Sequence, residues 1–194
     1  MLTATSMRAL LHSTLIIAVS SAVVKSTFYG TTSVHITDGN SSIFFDAFFT
    51  RPSFKQVIND TIGPHRDLIR ETLRQGGVDQ LDAIFVAHSH YYHDMNAPDV
   101  LNITNGKTMY GSNSTLNIGR GAGLEEGRMK LIKEGDIYDI GNFTIQVFEG
   151  LHSPGNTIPG IVEEPLQESA AEGLRGASEF KENTILPVEG FVFA

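Results

Sequence analysis

The residues best suited to chemistry lie in one short stretch, His88-Ser89-His90-Tyr91-Tyr92-His93-Asp94. Three imidazoles fall within six positions, directly after the apolar run Ala83-Ile84-Phe85-Val86-Ala87. That run has the length and composition of a buried strand, so its C-terminal end opens into a loop that carries the histidines. Neutral imidazole is the commonest metal-binding side chain, and zinc is its frequent partner. His88 and His90 are two residues apart, and an extended turn points both the same way. His93 follows where the loop tightens towards the next helix and can face the same cavity from the other side. A lone histidine in a loop would be read as an exposed polar residue; three at this spacing behind a buried strand predict a metal site. The chain contains no cysteine, so disulfides and thiolate ligands are excluded. Any zinc must use His, Asp or Glu, which points to a catalytic type of site.

The stretch resembles the H-x-H-x-D-H signature of the metallo-β-lactamase superfamily, zinc-dependent hydrolases with an αββα sandwich fold. Further blocks carry the same resemblance: Gly30-Thr31-Thr32-Ser33, Asp38-Gly39, Asp46-Ala47-Phe48-Phe49-Thr50-Arg51-Pro52, Asn117-Ile118-Gly119-Arg120-Gly121 and Leu151-His152-Ser153-Pro154-Gly155. They look like those of a secreted branch of that superfamily and span roughly residues 24 to 165. The resemblance implies an α/β fold of metallo-β-lactamase type and says almost nothing of substrate. It also implies that His88, His90 and His152 bind a first zinc, and that His93 serves a second metal. A zinc-bound hydroxide would then attack an ester, lactone, amide or phosphoester of a small molecule. One position departs from the pattern. The aspartate of the signature falls on Tyr92, whose phenol titrates near 10 in its free form. The second metal site is therefore expected to be weak or empty. Asp94, just beyond His93, is the nearest carboxylate and the candidate to replace it, with a different backbone direction. Iron or manganese can take the place of zinc in a histidine-rich site. The other reading is a non-catalytic relative that binds metal or a partner.

Asp46 closes the strand Ile43-Phe44-Phe45 and is either a partner that orients a ligand histidine or a turn cap. Phe48, Phe49 and Phe54 form one wall of a pocket or, more simply, pack into the core. Arg120 is a candidate for an anionic substrate group. The glycines around it, Gly119 to Gly123, lack the lysine and Ser/Thr of a phosphate loop and read as a turn with positive φ.

The elements that must position these groups follow from periodicity. From Val23 the chain alternates to Thr37, and Asp38-Gly39-Asn40 supplies a hairpin turn into Ser42 to Asp46. His65 to Gln75 has helical spacing, with Leu68, Ile69, Thr72 and Leu73 on one face and Gly76-Gly77 as the stop. His65 reads as surface. Asn96-Ala97-Pro98-Asp99 opens a short helix, Lys107 to Tyr110 is a strand, and Ser112 to Leu116 opens another helix. Met129 to Ile132, Ile137 to Ile140 and Phe143 to Phe148 are strands. This alternation predicts an α/β layered domain over residues 23–194, the first half of the sandwich being the part mainly present. Residues 163–182 are acidic and read as a loop or flap, and Gly190 to Ala194 as the start of a strand. With no histidine after His152, the second half of such a sandwich looks incomplete. An unpaired sheet edge would then invite a homodimer.

Residues 1–22 have the pattern of a secretory signal peptide: Arg8, an apolar run from Ala9, and small residues at Ser20-Ser21-Ala22. The alternative is an uncleaved membrane anchor. Five N-x-S/T sequons, at Asn40, Asn59, Asn102, Asn113 and Asn142, exceed the roughly two expected by chance and point to a secreted glycoprotein. The net charge of -8, with no basic cluster, argues against nucleic acid as a partner.

Overall fold

Short strands, the central ones buried on both faces, build the first sheet. In the computed structural model, which describes residues 23–60, 62–150 and 190–193, strands β1 (Lys25–Gly30), β2 (Ser33–Thr37), β3 (Ser42–Phe45), β4 (Ala83–Phe85), β5 (Thr108–Gly111) and β6 (Met129–Leu131) lie side by side in that order. The pairs β1/β2 and β2/β3 are antiparallel. From β3 to β6 every pair is parallel. Parallel neighbours need crossovers, and the helices supply them: α2 (Arg66–Gly76) between β3 and β4, α3 (Tyr91–Asp94) and α4 (Ala97–Ile103) between β4 and β5, and α5 (Asn113–Gly121) between β5 and β6. A shorter helix, α1 (Phe54–Asn59), precedes α2 and is closed at its start by a Ser53/Gln56 capping box.

The period of two along β4 separates two core layers. Ile84 and Val86 join Phe44, Ile69, Leu73, Val100, Leu101 and Leu116 beneath the helices. Ala83 and Phe85 join Ile43, Tyr110 and Ile132 on the opposite face, where Ile140, Ile145 and Val147 pack on them. Those last three come from a second sheet, made of β7 (Ile137–Ile140), β8 (Phe143–Gly150) and β9 (Gly190–Phe193), antiparallel throughout. The described layers are therefore helices, sheet, sheet, in an α/β arrangement. Gly190 to Phe193 forms the strand its composition predicts, paired on β8. Among the described residues no helix is long and apolar enough to cross a membrane.

Two sequence expectations change. The alternating run from Val23 to Thr37 is two strands. Gly30 (φ 97°) and Thr31 (φ 56°) both take left-handed backbone and turn β1 into β2, and the Arg51 guanidinium, which donates to the Tyr29 carbonyl, fills the space a Gly30 side chain would need. The glycines near Arg120 are not a loop. Gly119 and Gly121 are helical residues of α5, and of that cluster only Gly123 has positive φ. Gly119 makes a close approach: a Cβ there would lie 2.5 Å from Met129 Sδ and 2.7 Å from Met109 Cε, so both methionine ends would have to shift. The predicted export segment, His152 and the acidic segment 163–182 lie outside the described residues.

Candidate metal centre

β4 ends at Phe85, and the chain runs through Val86 and Ala87 into His88, which brings the histidine loop to the C-terminal edge of the parallel strands. That edge is where open α/β sheets place their sites. One turn of helix, α3, then fixes the rest. The His90 carbonyl accepts from the His93 and Asp94 N–H groups at 2.8 and 3.0 Å. His88 and His93 are buried, and His90 and Tyr92 are half-buried. The His88 ring centroid stands 4.4 Å from that of His90 and 3.9 Å from that of His93.

His93 is oriented through Nδ1, which lies 2.6 Å from Asp46 Oδ2 and 3.2 Å from the Thr32 hydroxyl. A carboxylate accepts only, so Nδ1 is the donor, and in the neutral ring Nε2 is then left with the lone pair that a metal-ligating histidine requires. The other Asp46 oxygen accepts from the Ala87 N–H at 2.8 Å. Asp46 is therefore a positioning residue as well as the end of its strand. It holds left-handed backbone (φ 50°), a strained conformation of the kind that clusters at functional sites.

His88 Nε2 and His90 Nδ1 stand 2.5 Å apart, and the Tyr92 hydroxyl lies 3.0 Å from the same His90 nitrogen. An imidazole nitrogen offers one lone pair or one proton, so His90 Nδ1 cannot serve both neighbours fully as a hydrogen-bond partner. A cation could be shared by all of them. Ligand atoms about 2.0 Å from a tetrahedral ion stand about 3.3 Å apart, so the two imidazole nitrogens would separate by roughly 0.8 Å to admit one. The donor chemistry fits a divalent metal, but the donor set is incomplete. Among the described residues no three His, Cys, Asp or Glu side chains form a group that could hold a metal ion. His152, the expected third imidazole, lies outside them.

The remaining candidates separate clearly. Asp94 is fully buried, and neither carboxylate oxygen has a hydrogen-bond partner among the described residues. Burial pushes its pKa well up; the Thr115 hydroxyl nearby opposes this, and the charge of Asp46 adds to it. Its oxygens are bonded to none of the three imidazoles. Burial also raises the Tyr92 phenol, with Tyr91 adding to the shift. Phe48 and Phe49 are core residues, each 5% exposed, and Phe54 is 80% exposed, so the three do not share one wall. Arg120 is paired with Glu126 and donates to Asn117 at 2.6 Å. His65 is exposed and caps α2 by accepting from the Leu68 N–H. Two contributors were not anticipated. Thr32 reaches His93 from the β1–β2 turn. Asn96, expected to open a helix, uses its side chain elsewhere: its Oδ1 accepts from both Phe49 and Thr50 N–H at 2.7 Å, tying the segment after Asp46 to the start of α4.

No protein-family model and no curated protein matches the sequence. Solved structures similar to it include MEM-A1, a subclass B3 metallo-β-lactamase from a soil metagenome library (14% identity, TM-score 0.42, 60% of this chain and 45% of that one). Another is the metallo-β-lactamase SMB-1 bound to 2-mercaptoethanesulfonate (11%, TM-score 0.44, 60% and 46%). A third is the rubredoxin oxygen:oxidoreductase of Desulfovibrio gigas (13%, TM-score 0.42, 60% and 26%). The chain spans less than half the length of each of these.

Proposed function

We propose that the chain is a metal-dependent hydrolase acting on a small-molecule ester, lactone, amide or phosphoester. The observation that carries this is the convergence of His88 Nε2 and His90 Nδ1 at the end of β4, beside a His93 whose tautomer is set by Asp46. His88 and His90 would hold a zinc ion, with His152 as the further imidazole donor. Zinc bound there would polarise the scissile group and lower the pKa of a water towards ~7. The part of the protein is to orient: Asp46 and Thr32 fix the His93 ring, and the closed turn of α3 fixes His90 against Tyr92. The proposal includes export as a glycoprotein, which the leader-like N-terminus and the exposure of Asn40, Asn102, Asn113 and Asn142 support.

The test is zinc content per full-length chain, together with turnover of a panel of small esters, lactones, amides and phosphodiesters. Zinc-dependent turnover that His88→Ala abolishes is the expected result. Stoichiometric zinc without turnover of any substrate would favour the non-catalytic reading, and turnover unaffected by chelation would overturn the hydrolase mechanism.

A further inference from the structure

Tyr91 and Tyr92 are neighbours in one turn of helix, yet their side chains do different things. The Tyr91 ring meets Phe48 edge-on, with centroids 5.9 Å apart, as a packing residue does. The Tyr92 ring stacks near-parallel on His90 (5.1 Å, 22°) and stands edge-on to His88 (6.1 Å, 86°). Its hydroxyl is thereby brought to 3.0 Å from His90 Nδ1, the nitrogen that also faces His88 Nε2. Tyr92 does pack against the buried cluster that contains Phe48, Val57 and Met95, which would account for an aromatic residue here. Packing alone does not account for a hydroxyl placed 3.0 Å from His90 Nδ1, because phenylalanine would pack equally well.

We infer that Tyr92 Oη is a metal ligand, so that one cation is held by His88 Nε2, His90 Nδ1 and a Tyr92 phenolate. The inference rests on the metal-binding part of the proposed function and adds to it the chemistry of the site. The 3.0 Å separation is close to the spacing of two ligands on one small cation, about 3.3 Å for a tetrahedral site. On binding, the cation takes the place of the phenol proton, which leaves to solvent; no oxidation or reduction is involved. Tyr92 then occupies the position of a carboxylate as a donor of the same charge with a single hard oxygen. Adding a hard anionic oxygen to two imidazoles shifts the preference of the site towards ferric iron, since donor type and geometry decide metal choice.

The experiment uses the full-length chain as wild type, Tyr92→Phe, Tyr92→Asp and His88→Ala, with circular dichroism to confirm that each variant is folded. Each is loaded with ferric iron and assayed for bound iron and visible absorption. Zinc affinity is measured separately by competition with a chromophoric chelator. A phenolate on ferric iron gives an intense visible charge-transfer band. The expected result is a band in the wild type that is absent from Tyr92→Phe and from Tyr92→Asp. Zinc affinity should fall by at least the roughly tenfold that losing even an outer-shell partner causes in Tyr92→Phe, and recover in Tyr92→Asp. Equal metal binding and identical spectra in wild type and Tyr92→Phe, with His88→Ala deficient, would overturn the role of Tyr92 and leave the metal site standing. If the wild type and His88→Ala alike bind no metal, the metal site itself is refuted, and this inference with it.

Discussion

Asp46 and His93 are joined across 47 residues of sequence by a buried contact of 2.6 Å between carboxylate and imidazole. Because the other Asp46 oxygen accepts from Ala87, one side chain sets both the start of the histidine loop and the ring at its end. The positive φ of Asp46 makes asparagine the gentlest replacement, since Asn tolerates that backbone. In Asp46→Asn the remaining carbonyl oxygen can keep the Ala87 bond, which turns the NH₂ group towards His93. Nδ1 must then accept, and the proton moves to Nε2. Histidine-selective 15N NMR of the metal-free protein should show the His93 proton on Nδ1 in the wild type and on Nε2 in Asp46→Asn. Zinc affinity should fall about 10- to 100-fold. An unchanged His93 tautomer would show that Asp46 does not orient the ring.

Asp94 gives a pH dependence of definite sign. Its folded pKa lies above its unfolded one, because burial penalises the charged form. Below the ordinary aspartate value the group is neutral in both states and has no effect. Between that value and the raised one, the unfolded chain ionises while the folded chain holds its proton. Stability is therefore lost as pH rises through this window, and the loss is complete above the folded pKa. Asp94→Asn removes the ionisation. The difference in urea midpoint between Asp94→Asn and wild type, measured in chelator, should be smallest near pH ~4 and grow in favour of the variant as pH rises. A difference independent of pH would mean that Asp94 is not a buried acid.

What was legible in the sequence is what depends on period and local spacing. Ala83 to Val86 alternates between the two core layers as its composition implies, so the histidines had to emerge at a strand end. Asp46 was legible as a partner or a turn cap because it ends the neighbouring strand, and the contact with His93 decides between them. Asn96 was not. Its acceptors and donors lie 46 and 47 residues away, and locally an Asn before Ala-Pro-Asp is indistinguishable from a helix cap. Gly119 misled for a related reason: glycine can mark either a backbone conformation or a close approach, and only the positions of Met109 and Met129 decide between them. The turn at Thr31 was hidden because two short strands of equal period run on without a break in the pattern.

The proposed export would leave a chemical record. Asn40 follows the Asp38-Gly39 turn and is exposed, its backbone N–H donating to the Asp38 carboxylate. Expressed in a eukaryotic secretory host, the chain should run as several glycoforms that an endoglycosidase collapses to one. Asn40→Gln should remove one glycan without loss of stability. A product with the mass of the bare polypeptide, recovered from the secretory pathway, would contradict the glycoprotein assignment.

Asn96 supplies the last prediction. It is fully buried, accepts two backbone N–H bonds from Phe49 and Thr50, and donates to the Thr50 hydroxyl at 3.1 Å. Asn96→Ala takes the acceptor from the buried Phe49 N–H and from the half-buried Thr50 N–H. At about 1–3 kcal/mol for each buried group left unpaired, the cost is about 2–4 kcal/mol once partial relaxation is allowed for. Asn96→Asp keeps both acceptors and loses only the donation to Thr50, but it buries a charge. An acid in that position escapes the charge by protonation, so Asn96→Asp should approach wild-type stability at low pH and fall below it at neutral pH, whereas Asn96→Ala should be weak at both. Urea unfolding of the three proteins at two pH values tests this. Equal stability of Asn96→Ala and wild type would mean that the segment following Asp46 is held by its packing and not by this side chain.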